Sequence, residues 1–186
     1  MSKWDRKHKV MRRYDASSRS YDLLYGEEQF AKFDRALKSL AIRSDSVVLD
    51  AGCGSGLFFS RIASEARTVV GLDSSRSLLL SAKARKKEHE NVDLVRADID
   101  YMPFRESVFS VVFAFTVLQN MPRPVETLRS MSHVASHDAV VVVTGLKKYF
   151  SLENFCGLLK RAEFSLVSLI DDDSLKCYVA VLRSDS

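Results

Sequence analysis

The strongest constraint on the fold of this sequence is a regular alternation of apolar, β-branched runs with stretches of helical spacing. The apolar runs lie at residues 46–50, 68–72, 92–98, 108–115 and 139–144. The helical stretches between them lie at residues 57–65, 75–88 and 124–135. Strands that are rich in valine and other apolar residues and alternate with helices predict a parallel sheet covered by helices on both faces. With 186 residues, 46% of them hydrophobic, the chain is the size of one domain with a full core.

The C-terminal part departs from this alternation. A predicted helix at 151–162 is followed by two apolar runs, FSLVSLI and KCYVAVL, with an acidic turn at 171–173 between them. This connection is too short for a crossover helix, so the two strands should form an antiparallel hairpin. The predicted fold is therefore an α/β, Rossmann-like, doubly wound sheet of seven strands, mostly parallel with an antiparallel C-terminal hairpin strand.

The first 40 residues differ in character from the rest. The apolar side chains of residues 21–42 have helical spacing, which predicts an amphipathic helix, with or without a shorter helix before it. Residues 1–13 carry six basic side chains against Asp5, whereas the whole chain has a net charge of +4. These basic residues are Lys3, Arg6, Lys7, Lys9, Arg12 and Arg13. We expect residues 1–40 to form a basic arm and a helical cap, and residues 41–186 to form the core of the same domain.

The segment VVLDAGCGSG at 47–56 joins a buried strand to three glycines. In a doubly wound sheet, the first strand-to-helix turn lies at the edge where ligands bind. Asp73 ends the next strand, 21 residues after Gly52, and this spacing suits a carboxylate that accepts hydrogen bonds from ribose hydroxyls. A dinucleotide fingerprint would have its third glycine at position 57, where this chain has Leu57. Asp50 suits an amine-bearing or cationic ligand better than a pyrophosphate.

These motifs, in this order, resemble those of the class I S-adenosylmethionine-dependent methyltransferases, the broad group that includes quinone-pathway and tRNA or rRNA enzymes. VLDAGCGSG is similar to the first motif, VVGLDSS to the second and VRADIDYMPF to the third, and FSVVFAFTVLQNMPRPVETLRSM resembles the fourth strand and its helix. The resemblance covers roughly residues 40–183 and implies S-adenosylmethionine as the cofactor. The cofactor-binding residues it implies are Tyr21, Asp50, Gly52, Cys53, Gly54, Asp73, Ser74, Asp98, Ile99 and Thr116.

The family resemblance implies that different residues bind different parts of the cofactor. Asp73 would hold the ribose, and Thr116 would line the floor under the sulfonium. Asp98 and the backbone of Ile99 would meet the adenine edge.

The catalytic work implied by this chemistry is mainly positioning, because the sulfonium already carries an activated methyl group. Gln119 and Asn120, after the fourth strand, are the candidate catalytic residues, since they could orient an acceptor's lone pair. The alternative for Asn120 is a cap on the helix that begins near Pro124. The Asn-Pro-Pro-Tyr tetrad of many nucleic-acid amino-methyltransferases is absent here, where the chain reads TVLQNMP.

The substrate class stays open. RNA, as an rRNA or tRNA base, is the first prediction, because the chain adds little beyond the core to enclose a small molecule and because its basic arm could bind phosphates. The alternatives are a small-molecule methyltransferase, a protein methyltransferase and a catalytically silent methyltransferase-like subunit. A minimal domain also suits a small protein partner that completes the site. The arm has an alternative of its own, a solvated tail.

Cysteine spacing and hydropathy exclude other classes of protein. The three cysteines are far apart without a C-x-x-C pair, so neither a disulfide framework nor a zinc site is predicted. The first residues lack an apolar leader, and no stretch approaches the length of a transmembrane helix. We therefore expect a cytoplasmic protein with no metal and no membrane segment.

Overall fold

The computed structural model describes the backbone of residues 3–184, together with the side chains of that range other than those of residues 3, 6, 13, 14 and 16–25. Its strands are β1 (Val47–Ala51), β2 (Thr68–Asp73), β3 (Val92–Arg96), β4 (Phe109–Ala114), β5 (Ala135–Leu146), β6 (Phe164–Ile170) and β7 (Cys177–Ser184). Its α-helices are α1 (Lys3–Leu37), α2 (Phe59–Ile62), α3 (Arg76–Lys86), α4 (Pro124–Val134) and α5 (Leu152–Arg161). Short 3-10 turns at Ile99–Tyr101 and Leu118–Asn120 follow β3 and β4.

The strands form one sheet in the order β3-β2-β1-β4-β5-β7-β6. Strands β1 to β5 pair in parallel, and β7 pairs antiparallel with both β5 and β6. The order reverses between β1 and β4, so the carboxyl ends of these two strands lie at the switch point where doubly wound sheets bind ligands. The predicted fold, with its antiparallel C-terminal strand, is confirmed.

Alternate residues along the central strands point to opposite faces of the sheet and build two apolar layers. Val112 of β4 packs in the layer that contains Leu128 of α4. Its neighbour Phe113 packs in the other layer, where its ring centre lies 4.7 Å from that of Phe58. Phe33 of α1 joins the same cluster, at 4.4 Å from Phe58. These aromatic contacts hold the C-terminal half of α1 against the sheet.

Helix α1 is longer than the sequence pattern predicts. It begins at Lys3, so the basic residues expected in a separate N-terminal arm belong to the helix. Trp4, Lys7 and Met11 lie three to four residues apart and share one face, whereas Lys9 and Arg12 are exposed. The many charged side chains hide this periodicity, because the face that turns inward is only partly apolar.

Two other boundaries differ from the prediction. Helix α2 has only four residues, and the segment around the glycines continues as turns up to residue 58. Strand β5 begins at Ala135, directly after α4, and Asp138 interrupts its regular geometry with a φ of 59°. Among the described residues, we find neither a helix with the length and apolarity needed to cross a membrane nor a cluster of acidic, histidine and cysteine side chains suited to a metal.

Candidate functional site

A cavity of about 240 Å³ opens at the carboxyl ends of β1, β2 and β4. The strand ends and the turns that follow them form one side of it. Helix α1 crosses the other side and contributes side chains from two regions. These are Trp4, Lys7, His8, Val10 and Met11 from its first turns, and Gln29 and Phe33 from its last.

The glycine turn after β1 forms the floor of the cavity. Gly52, Gly54 and Gly56 have φ values of 86°, 56° and 80°, in the left-handed region that favours glycine. A Cβ on Gly52 would lie 2.6 Å from the side chain of Val117. The N–H groups of Gly52 and Cys53 both donate to the carbonyl of Leu72, at 2.7 and 3.0 Å, which ties the turn to β2.

Asp73 ends β2 beside this turn. Its carboxylate accepts hydrogen bonds from the backbone N–H of Gly54, at 2.9 Å, and of Ser75, at 2.8 Å. Burial raises the pKa of Asp73, and the backbone hydrogen bonds from Ser75, Gly54 and Ser74 act in the opposite direction. The side chain is thus held rigidly at the edge of the cavity.

Asp50, the next-to-last residue of β1, is 3% exposed and also lines the cavity. Its Oδ2 has no hydrogen-bond partner among the described residues. Burial raises the pKa of Asp50 to about 8, and the nearby charge of Asp73 adds to this effect. A buried carboxyl that lines a cavity and has an oxygen without a partner is suited to a ligand that brings an amine or a positive charge.

Asp98 and Asp100 follow β3 and meet Lys7 of α1. The Lys7 Nζ lies 2.6 Å from Oδ1 of Asp98 and 2.5 Å from Oδ2 of Asp100. Asp98 also caps the turn that begins at Ile99, since its Oδ1 accepts a hydrogen bond from the N–H of Asp100 at 3.0 Å. Trp4 stacks on Tyr101, with ring centres 6.2 Å apart. The first turns of α1 therefore close this end of the cavity.

A second contact of α1 lies near the end of β2. The Asp15 carboxylate accepts hydrogen bonds from the hydroxyls of Ser75 and Ser77 at the start of α3, the second at 2.5 Å. These hydrogen bonds lower the pKa of Asp15. Because the Ser75 N–H also donates to Asp73, the helix is tied to the same corner that holds this carboxylate.

Thr116, two residues beyond β4, lies at the other end of the cavity with a φ of 60°, which is strained for a β-branched residue. Its N–H donates to Thr144 Oγ1 at 2.7 Å. The side-chain amides of Gln119 and Asn120 both donate to its carbonyl, at 2.5 and 3.0 Å. From α1, Lys32 Nζ donates to its hydroxyl at 3.3 Å. Hydrogen bonds with Thr144, with Lys32 and with the two side-chain amides therefore stabilise the strained turn at Thr116.

The structure separates the two candidate catalytic residues. Asn120 lines the cavity, whereas Gln119 is outside the set of lining residues. The alternative interpretation of Asn120 as a helix cap is wrong, because the N-cap of α4 is Arg123 and the Asn120 side chain binds the Thr116 carbonyl instead. A catalytic role for either residue stays a prediction.

Most residues implied by the sequence motifs come together around this one cavity. They are Asp50, Gly52, Cys53, Gly54, Asp73, Ser74, Asp98, Ile99 and Thr116. The side chain of Tyr21 lies outside the described residues, as do those of Lys3, Arg6 and Arg13. Among the basic residues expected to bind phosphates, Lys9 and Arg12 are exposed, whereas Lys7 is turned into the cavity.

The sequence analysis did not predict that side chains of α1 line the cavity. Gln29 and Phe33, four residues apart, are buried on the same face of the helix. The spacing of Trp4, Lys7 and Met11 carries the same signal at the start of the helix. This helical face could have been predicted by extending the helical pattern back to the N-terminus.

Residues 49–143, just over half of the chain, match the family described as "Methyltransferase domain". The chain belongs to this family. A demethylmenaquinone methyltransferase of Staphylococcus aureus (strain JH9) is 29% identical over an alignment of 143 residues that covers 73% of this chain and 59% of the relative. The chain thus spans less than two thirds of the length of that relative.

Solved structures show the same fold at low sequence identity. A methyltransferase chain from a complex with the Haloferax volcanii Trm112 methyltransferase activator has a TM-score of 0.81 and 14% identity, over 93% of this chain and 98% of that one. A SAM-dependent methyltransferase from Aquifex aeolicus has a TM-score of 0.73 and 14% identity, over 82% and 89% of the two chains.

Membership of this family identifies S-adenosylmethionine as the cofactor. The residues of the cavity fit that molecule. Asp50 offers an unused, buried oxygen to a positively charged group, and Gly52 leaves the floor without a side chain.

Proposed function

We propose that this protein is an S-adenosylmethionine-dependent methyltransferase that binds its donor in the cavity at the carboxyl ends of β1, β2 and β4. The observation that carries the proposal is the buried Asp50 carboxyl, whose Oδ2 has no partner among the described residues, beside the turn at Gly52. The donor has an ammonium and a sulfonium group, and a nearby carboxylate favours positive charge. When bound, it supplies an activated methyl group.

The other acidic residues of the cavity would bind the remaining parts of the donor. Asp73, held at the end of β2, would accept hydrogen bonds from the ribose hydroxyls. Asp98, with the backbone of Ile99, would bind the adenine edge. Thr116 would lie under the sulfonium, where its fixed turn would orient the approach of an acceptor.

Calorimetric titration with S-adenosylmethionine, S-adenosylhomocysteine and NAD tests the donor site. The first two should bind and NAD should not. Asp50→Asn should weaken binding of S-adenosylmethionine, whereas Asp45→Asn, at an exposed acid before β1, should leave it unchanged. If the wild-type protein and Asp50→Asn bind neither adenosyl compound, the donor site has been assigned wrongly.

For the methyl acceptor, we propose an RNA base. Lys9 and Arg12 are exposed on α1, and the stacked rings of Trp4 and Tyr101 are 52% and 67% exposed. Exposed basic side chains and exposed aromatic rings suit single-stranded RNA, since phosphates bind the former and bases stack on the latter. Asn120, at the end of the cavity near Thr116, would orient the base.

RNA binding should depend on these basic side chains in a measurable way. Lys9→Ala with Arg12→Ala should reduce the slope of log affinity against log salt by about 0.7 to 0.9 for each phosphate that the variant no longer binds. A matched double variant, Arg67→Ala with Lys160→Ala, removes the same charges from exposed positions off α1. Equal slopes for the two variants would leave α1 without a role in RNA binding.

Mass spectrometry of RNA nucleosides from cells with and without the protein tests the acceptor itself. Loss of one methylated nucleoside, restored by the wild type but not by Asp73→Ala, would support an RNA substrate. An unchanged nucleoside profile would contradict it.

A small-molecule acceptor is the second candidate, and it is favoured by the course of α1 across the cavity. Gln29 and Phe33 of α1 line the cavity together with Thr116, and an end of the cavity that is bordered by a helix in this way suits a small ligand. The name of the demethylmenaquinone relative agrees with this alternative. An unchanged RNA profile together with donor binding would favour it.

A small protein partner is a further proposal, supported by the fold shared with a methyltransferase chain that was solved with the Trm112 activator. A catalytically silent role would show itself as donor binding without turnover on any acceptor. Copurification of the protein at its natural level, followed by a comparison of donor affinity with and without the captured protein, tests the partner.

A further inference from the structure

A lysine from the first turns of α1 fills the end of the cavity that is bordered by Asp98. Lys7 Nζ lies within 2.7 Å of both carboxylate oxygens of Asp98, and its side chain is only 15% exposed. It also lies 6.0 and 5.7 Å from the ring centres of Trp4 and Tyr101, within or near the range of cation–π attraction. The ammonium is therefore enclosed by charge and by two aromatic rings.

The two carboxylates that hold Lys7 are not equivalent. Asp100 is anchored to the core, because its Oδ1 accepts a hydrogen bond from Thr127 Oγ1 of α4 at 2.5 Å while its Oδ2 accepts from Lys7. Asp98 lines the cavity, whereas Asp100 is outside the set of lining residues. A ligand in the cavity can therefore approach Asp98 and leave the pair of Lys7 and Asp100 in place.

We infer that Lys7 is a latch that competes with the adenine of the donor for the Asp98 carboxylate. This rests on the proposed function, which takes Asp98 as the acceptor for the adenine edge. The exocyclic amine of adenine and the ammonium of Lys7 are both hydrogen-bond donors. Lys7 already contacts both oxygens of Asp98, and Oδ1 also accepts from the N–H of Asp100, so adenine must compete with Lys7 for this carboxylate. Donor binding transfers Asp98 from Lys7 to adenine, and Lys7 keeps Asp100.

Competition predicts opposite effects for the two partners of one ion pair. Lys7→Met removes the competitor and should tighten the binding of S-adenosylhomocysteine by about two- to fivefold, the range that corresponds to an ion pair of modest strength. Asp98→Ala removes the acceptor and should weaken binding by about tenfold or more. A purely structural ion pair would instead weaken binding in both variants or change it in neither.

The experiment is a calorimetric titration of the full chain with S-adenosylhomocysteine. Lys38→Met, at an exposed lysine just after α1, removes the same charge outside the cavity and should behave as the wild type. Lys7→Arg retains a competing cation and should restore wild-type affinity. Adding Lys7→Met to Asp98→Ala should change nothing further, because the contested carboxylate is already gone.

Trp4 gives a second readout, since it is the single tryptophan of the chain and stacks on Tyr101 next to Lys7. Release of Asp98 from Lys7 should change its emission with the same midpoint as the calorimetric titration. If the wild type binds S-adenosylhomocysteine and Lys7→Met does not bind it more tightly, competition by Lys7 is contradicted, whereas the proposed donor site is not. No binding by either protein would overturn both.

Discussion

The sheet side of the cavity is built from main-chain turns and acidic strand ends, whereas the α1 side is built from long side chains that reach across from one helix. On the sheet side, backbone hydrogen bonds from Gly52 and Cys53 to Leu72 fix the turn, and others fix Asp73. On the α1 side, Lys7 and Gln29 depend on contacts with residues more than 80 positions away.

This difference separates two tasks. A wall made of backbone keeps its shape whether or not side chains move, so it suits the parts of the donor that every turnover must bind in the same place. A wall made of lysine, glutamine and aromatic side chains can adjust, so it suits steps in which something enters or leaves. We therefore expect substitutions on the sheet side to affect donor affinity more than substitutions on α1.

The largest effect should come from Gly52→Val. The φ of 86° and the 2.6 Å approach of a Cβ to Val117 leave no place for a side chain, so binding of S-adenosylhomocysteine should be lost. Gly157→Ala, in α5, where a Cβ would meet nothing within 4 Å, is the control and should bind normally. Normal calorimetric affinity in Gly52→Val would mean that this turn does not border the donor.

Asp73→Ala should have the next largest effect. The loss of a charged hydrogen-bond acceptor should weaken donor binding by roughly 1.5 to 3 kcal/mol. Asp93→Ala removes an exposed carboxylate from β3 and serves as the matched control in the same titration. Equal affinities for the two variants would remove Asp73 from the site.

The pH dependence of donor binding should follow Asp50. Its pKa of about 8 should fall when a cationic donor binds, so the affinity for S-adenosylmethionine should rise from pH 6 to pH 8, by at most about tenfold per pH unit, and then level off.

The stability of the protein without donor should also depend on Asp50. Because its raised pKa stabilises the protonated folded state, the free energy of unfolding should fall as pH rises from about 4 to 8. Asp50→Asn should show neither the rise in donor affinity nor the fall in stability that Asp50 causes. Equal slopes of these quantities against pH in wild type and variant would contradict the assignment.

The smallest effect is expected where α1 meets β7. Lys176 is exposed, and its ion pair with Glu28, at 3.0 Å, should contribute less than about 1 kcal/mol. Lys176→Ala should therefore lower the free energy of unfolding, measured in urea, by less than that amount. Lys38→Ala, an exposed lysine just after α1, is the control. A loss of several kcal/mol in Lys176→Ala would show that charge holds the helix more than apolar packing does.

The same contrast between the two sides explains what the sequence could predict. The strands follow from continuous runs such as those before Gly52 and Asp73, because burial on both faces leaves a local signal. The glycine turn and the acids at strand ends form short motifs, so the family, the fold and the cofactor were predicted correctly. The RNA substrate and the individual site roles stay predictions.

The α1 side could not be predicted because its signals are not local. Nothing near Lys7 in the sequence indicates that its partner is Asp98, 91 residues away. The φ of 60° at Thr116 is maintained by Thr144 and by amides that follow it, and no sequence rule assigns a left-handed conformation to a threonine. The start of α1 escapes prediction because a dense run of charged residues is equally typical of an extended arm.

The ties between α1 and the far end of the chain have a consequence for biosynthesis. Glu28 pairs with Lys176 and Arg35 with Asp172, just before β7, so these contacts can form only after nearly the whole chain has left the ribosome. The first helix to be synthesised thus completes its contacts at the end of synthesis, and until β7 is added the apolar cluster that contains Phe33 lacks the β7 side chains Cys177, Val179 and Val181. A nascent chain halted before β7 should therefore expose this surface to chaperones, whereas the released chain should not.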